Sequence, residues 1–399
     1  MLYRKIIFAF LSILIIVSTG CDDLLTIDAT DDSGALTLAK KMRGIWIVGG
    51  TSTVAGSTML SELDLYDPVT NTWYPNVAAN ALGGYSPTSF SMVASVAGKI
   101  YVIGGASTAG AADSAVFEYN IATNTWRTMT NLTYNCMDAL VYTQNDKIYI
   151  MGGTTTTVAT NVITTNSVFD PAGGGGLGSW TTTLTVLPAP GARTGMGGGN
   201  INGIVSFAGG RINTGAAQTV NDIYVVDANT YTVGTEFALP TARHGMASTW
   251  HTSKKGTFVF FIGGSTGTTP AVNYFSLTAI AFVTQATSLY VYTPPSSTTY
   301  GWFTGTYHPY CTSATNGIIF AAAAVSPYNG STSTNNTLYV FGGLRDTPLA
   351  SMTVSNSVHA TSAEGTTILP AADYVHGSWS TKTSMPRARY GHRAVVIQQ

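Results

Sequence analysis

Ile100-Tyr101-Val102-Ile103-Gly104-Gly105 is a short apolar run ended by two glycines, and the chain holds five more runs of the same form. They are Ile45-Trp46-Ile47-Val48-Gly49-Gly50, Ile148-Tyr149-Ile150-Met151-Gly152-Gly153, Val205-Ser206-Phe207-Ala208-Gly209-Gly210, Phe258-Val259-Phe260-Phe261-Ile262-Gly263-Gly264 and Leu338-Tyr339-Val340-Phe341-Gly342-Gly343. Their first glycines are separated by 55, 48, 57, 54 and 79 residues, so one structural unit recurs six times. Runs this short and this apolar read as buried strands. The paired glycines at their ends admit positive φ and let another backbone come close.

A second signature follows within the units. Leu63-Asp64-Leu65-Tyr66-Asp67 leads through Thr70-Asn71-Thr72 to Trp73, and Val116-Phe117-Glu118-Tyr119-Asn120 leads through Thr123-Asn124-Thr125 to Trp126. The alternation is a strand, the Asn-Thr segment a turn, and the Trp opens the next strand. Looser versions are Val168-Phe169-Asp170-Pro171 with Trp180, Ile223-Tyr224-Val225-Val226-Asp227 with Tyr231, and Leu289-Tyr290-Val291-Tyr292 with Trp302; the last unit keeps Trp379 alone.

A strand ending in Gly-Gly, then a Tyr, then a Trp about seven residues on, resembles the kelch repeat, and the resemblance covers roughly residues 41–399. It implies an all-β fold: a β-propeller of four-stranded antiparallel blades around a central channel. A lone blade cannot bury both faces, so each must stack on its neighbours, with Tyr and Trp rings filling the wedge between them. Inner strands are expected at Ser89 to Val96, Met137 to Thr143, Thr194 to Ile201, His244 to Thr249 and Asn316 to Val325. That leaves Gly49-Gly50 without an inner strand and leaves Arg389 to Ile397 without a Gly-Gly partner. The two halves complete each other, giving six blades with the ring closed by the C-terminal strand joining the N-terminal blade. The interval of 79 residues reads as an extra hairpin, Val272 to Thr284, in place of a seventh blade.

Composition narrows the function. Of 399 residues only 9% are charged and the net charge is −1, which leaves no basic field for a polynucleotide. Cys21, Cys136 and Cys311 are too few for a disulfide framework and lack zinc-site spacing. No metal and no cofactor is expected.

Arg4 and Lys5 precede the apolar run Ile6 to Val17, and Ser18-Thr19-Gly20-Cys21 follows, the layout of an export signal. Thr19-Gly20-Cys21 resembles the end of a bacterial lipobox, which makes Cys21 the lipidation candidate; Ser18 stands where that pattern prefers Leu. The expected organisation is a signal over 1–21, a tether over 22–40 rich in Asp-Asp pairs, and a propeller over 41–399. Cleavage before Cys21 removes Arg4 and Lys5 and takes the net charge from −1 to −3.

Segments entering the inner strands bring basic residues: Arg193-Thr194-Gly195, Arg243-His244-Gly245 and Arg389-Tyr390-Gly391-His392. Arg193, Arg243, His244, Arg389 and His392 are therefore the candidate ligand-binding set, suited to a carboxylate or an acidic sugar at a channel mouth. The same arginines equally serve as donors to exposed carbonyls between blades. Some kelch propellers are enzymes, of the galactose oxidase and sialate mutarotase kinds, but no catalytic residue is marked by a local motif. His308-Pro309-Tyr310-Cys311 is an isolated cluster without partners at ligand spacing. Three stretches, beginning at Asn131, Asn329 and Asn335, carry the Asn-x-Ser/Thr acceptor pattern for glycans. The expectation is an exported module, either a lipoprotein at the cell surface or outer membrane or a secreted protein, that binds protein or glycan through its mouth loops, self-assembles, and meets a membrane only through a lipid anchor.

Overall fold

The computed structural model describes residues 43–54, 58–78, 85–108, 111–156, 161–182, 193–201, 203–213, 216–225, 230–234, 238–253, 256–265, 289–292, 302–304, 308–310, 317–326, 336–345, 353–363 and 378–397. Cys21, Cys311 and the expected hairpin Val272 to Thr284 lie outside them. Among these residues the chain is all-β, with six four-stranded antiparallel sheets, one three-stranded sheet and a single 3-10 turn at Gly174–Gly176. This arrangement is consistent with a propeller.

Each sheet follows one plan. The second runs Met92–Val96, Lys99–Thr108, Ala111–Asn120 and Thr125–Thr128 in spatial order. The first breaks the sequential order: Gly44–Val48 pairs on one side with Leu63–Asp67 and on the other with the C-terminal strand Arg393–Ile397, Trp46 opposite Val395. Inner strands in the remaining sheets are Leu140–Gln144, Thr194–Ile201, Ala247–Ser253 and Ala322–Ser326. Those beginning at Met92, Leu140 and Ala247 start three residues later than the sequence predicts and the one beginning at Ala322 six, and the cause is local. Phe90, Asp138, Gly245 and Phe320 hold φ of +56°, +53°, +66° and +56°, a left-handed turn that interrupts the extended chain. Val358–Ser362 is the third strand of the last four-stranded sheet.

The glycine pairs bind sheet to sheet. The second glycine's N–H donates to a carbonyl just ahead of the next inner strand: Gly50 to Thr88, Gly105 to Cys136, Gly153 to Arg193, Gly210 to Arg243, Gly264 to Ile318 and Gly343 to Arg389. At Gly104, φ is +55° and a Cβ would run into the Cys136 carbonyl oxygen, so both the conformation and the approach require glycine.

The aromatic signature fills the space between sheets. Tyr66 lies opposite Trp73, Tyr119 opposite Trp126 and Phe169 opposite Trp180, with ring centroids 4.9, 5.0 and 4.8 Å apart. The Trp73 and Trp180 indoles donate to the carbonyls of Thr383 and Thr130 on neighbouring sheets. Tyr66 and Tyr119 hydroxyls donate to Asn71 and Asn124, the left-handed residues of their own hairpin turns. Beside the last sheet, His308 packs at 4.9 Å from the Trp379 indole. The His308 cluster that stood out in sequence is thus part of an aromatic group with Tyr310, His359 and Trp379.

Candidate functional site

All five predicted ligand-binding side chains are interior. Arg193, Arg243, His244, Arg389 and His392 are between 0 and 2% exposed. Arg193, Arg243 and Arg389 occupy one structural position, the residue whose carbonyl receives the glycine N–H of the preceding sheet, and Thr88, Cys136 and Ile318 occupy it elsewhere. From that position the Arg243 guanidinium donates to the Gly263 carbonyl and that of Arg389 to Gly49. Thr88 Oγ1 donates to Gly104 and Cys136 Sγ to Gly152, so an arginine, a threonine and a thiol perform the same task in different sheets. Arg193 Nη1 donates to the Val220 carbonyl. The second reading of the sequence, arginines as donors to carbonyls, describes this geometry.

Arg389 makes one further contact, an ion pair with Asp64 on the strand Leu63–Asp67. Burial pushes the Asp64 carboxyl up, while Arg389 and the Asn76 backbone N–H pull it back. Burial holds His244 and His392 well below the ordinary histidine value, aided by Arg211 for the first and by Arg389 and Arg393 for the second. Both are neutral at neutral pH. The Cys136 thiol is free and buried, and its burial pushes its pKa up, away from reactivity. Among the described residues, no three His, Cys, Asp or Glu side chains group as a metal would require.

Two residues beyond each of those entry positions lies a circuit that sequence reading missed. Phe90 N–H donates to Gly391, Gly391 to Phe320, Phe320 to Gly245, Gly245 to Gly195, Gly195 to Asp138 and Asp138 to Phe90, with lengths from 2.6 to 3.1 Å. All six residues are left-handed. On one side of the circuit, Phe90, Phe320 and Tyr390 pack together with Met137, Ile319 and Leu344. On the other, the inner strands line a cavity of about 260 Å³ whose wall includes Asp138, Phe320 and Arg393. Gly195, Gly245 and Gly391 gave part of this pattern in sequence as Arg-x-Gly. Phe90, Asp138 and Phe320 concealed the rest, because nothing marks a non-glycine residue for positive φ.

The segment 87–133, which contains the second sheet and its entry, matches the family model described as the Kelch motif. Residues 87–133 are a Kelch motif. No curated protein matches the chain. The matched stretch carries Thr88, the Gly104-Gly105 pair, Tyr119 and Trp126, and the equivalent bonds in the other sheets extend the features of that motif through the described residues.

Proposed function

We propose that the chain is an exported six-bladed kelch-like propeller that acts as a binding or assembly module at a cell surface, recognising protein or glycan through its loops. The observation that carries this reading is the circuit of six backbone hydrogen bonds, which takes one residue at or just ahead of the inner strand of each four-stranded sheet and returns to its start. Contacts between inner strands follow the same cyclic order. In this reading Arg393–Ile397 seals the ring against Gly44–Val48, so no sheet edge is left open at the junction. A core fixed in that way leaves recognition to the loops. Export through the N-terminal signal and anchoring through Cys21 belong to the same proposal, since two acyl chains hold a protein on a membrane without a spanning helix.

The rival is a sugar-processing enzyme of the sialate mutarotase or galactose oxidase kind. It requires a carboxylate or imidazole within reach of the arginines and open to substrate. Asp64 meets Arg389, but both are sealed, at 2% and 0% exposure. Burial therefore favours the binding module. The test is crosslinking on intact cells followed by mass spectrometry of the crosslinks and of the mature N-terminus. The proposal expects surface crosslinks from the loops to a partner or second copy, and an acylated Cys21. A chain found uncrosslinked inside the cell, with its signal intact, would refute it.

A further inference from the structure

The cavity above the circuit has an uneven chemistry. Arg393 Nη2 lies 3.0 Å from Asp138 Oδ1 at its floor, with side chains 24% and 5% exposed. These two are the charged residues among those that line it, and Ala, Val and Gly make up much of the remaining wall. Trp250 also lines the cavity and is 41% exposed. It lies five residues beyond Gly245 along Ala247–Ser253, so it stands about 16 Å above the floor at the usual rise of an extended strand.

A guanidinium and a carboxylate that already neutralise each other do not select an ion. Side by side they present donors and acceptors, which is the complement of hydroxyl groups, since each hydroxyl both donates and accepts. The walls carry no further charge to demand a charged ligand. The rim tryptophan offers a large flat apolar face with one polar handle, suited to the C–H face of a sugar ring. The other end is closed by Phe320 and the hydrogen-bond circuit, so a chain enters by its end and cannot pass through.

We propose that this cavity binds the terminal rings of a neutral saccharide, with hydroxyls on Asp138 and Arg393 and a ring against Trp250. The inference rests on the propeller reading, because the six inner strands must enclose the cavity, but it does not depend on export or on a protein partner. Calorimetry and saturation-transfer NMR on the full chain, with glucose, galactose, mannose, N-acetylglucosamine and disaccharides of each at millimolar concentration, test it. At least one sugar is expected to bind saturably and to shift tryptophan emission. Trp250→Ala should weaken that binding roughly tenfold, the scale of one aromatic contact, without moving the melting curve. Arg393→Gln should abolish it. Because that variant also strands Asp138, its melting curve is recorded, and Trp250→Ala alone decides the matter if it unfolds. Binding by none of these sugars, binding that Trp250→Ala leaves unchanged, or binding only of charged sugars or amino acids overturns the proposal. A surface partner captured by crosslinking while every sugar fails would remove the cavity site and leave the binding-module reading standing.

Discussion

Gly104 and Gly98 separate two costs that the sequence alone cannot distinguish. Both are left-handed, with φ of +55° and +71°, but a Cβ on Gly98 meets nothing within 4 Å, whereas one on Gly104 meets the Cys136 carbonyl and then Asp113. Gly98→Ala should therefore lose only about 1–2 kcal/mol from the backbone conformation. Gly104→Ala should lose clearly more, and urea midpoints of the two variants read the difference; equal losses would mean that close approach between sheets is not what the glycine pairs provide. The buried histidines give a pH prediction with a definite sign. Burial and Arg345 depress His359 to about 4, and His244, His308 and His392 are also lowered by burial. The unfolded chain takes up these protons near pH 6.5 while the folded chain does not, so stability is full above that pH and falls as pH drops toward 4. Each ring held neutral by the fold adds to that slope. A urea midpoint that stays level from pH 7 to pH 5 would show that the four rings are not held neutral in the fold.

At the scale of elements, the strands were the legible part of this sequence. Ile100 to Gly105 and its five counterparts announce themselves because apolar side chains and paired glycines leave few alternatives, and Tyr66 with Trp73 and Tyr119 with Trp126 mark the strands that follow. The inner strand supplied by Arg393–Ile397 could be foreseen because Gly44–Val48 lacked one. The candidate site was less legible. Arg193, Arg243 and Arg389 look like ligand residues when read along the chain, and only the shared position with Thr88 and Cys136 reveals them as donors to the fold's own carbonyls. Asp138 and Arg393 were passed over because they come from sheets far apart in sequence, and no spacing rule brings them together. The pairing of Gly44–Val48 with Arg393–Ile397 has a direct consequence for stability. Deleting residues 387–399 removes the inner strand of the first sheet together with the ion pairs Arg389–Asp64 and Arg387–Glu62. The truncated chain should lose its cooperative unfolding transition, and a transition matching that of the full chain would contradict the pairing.

For the whole molecule, the scarcity of charge remains the clearest guide to behaviour. With 9% charged residues and a net charge of −1, repulsion between copies is weak, and proteins near zero net charge tend to associate. Light scattering on the purified chain should show association that grows with concentration; a monodisperse monomer at high concentration would count against a role in assembly. The proposed propeller requires six sheets in one closed ring, sealed where Gly44–Val48 meets Arg393–Ile397. Ile47 lies directly opposite Ala394 across that seal, at a separation that neighbouring antiparallel strands share with disulfides. In the double variant Ile47→Cys, Ala394→Cys, mild oxidation of the folded protein should form this disulfide, as mass spectrometry of linked peptides would show. Thiols that stay free in the folded state would place the ends of the chain apart and contradict the closed ring.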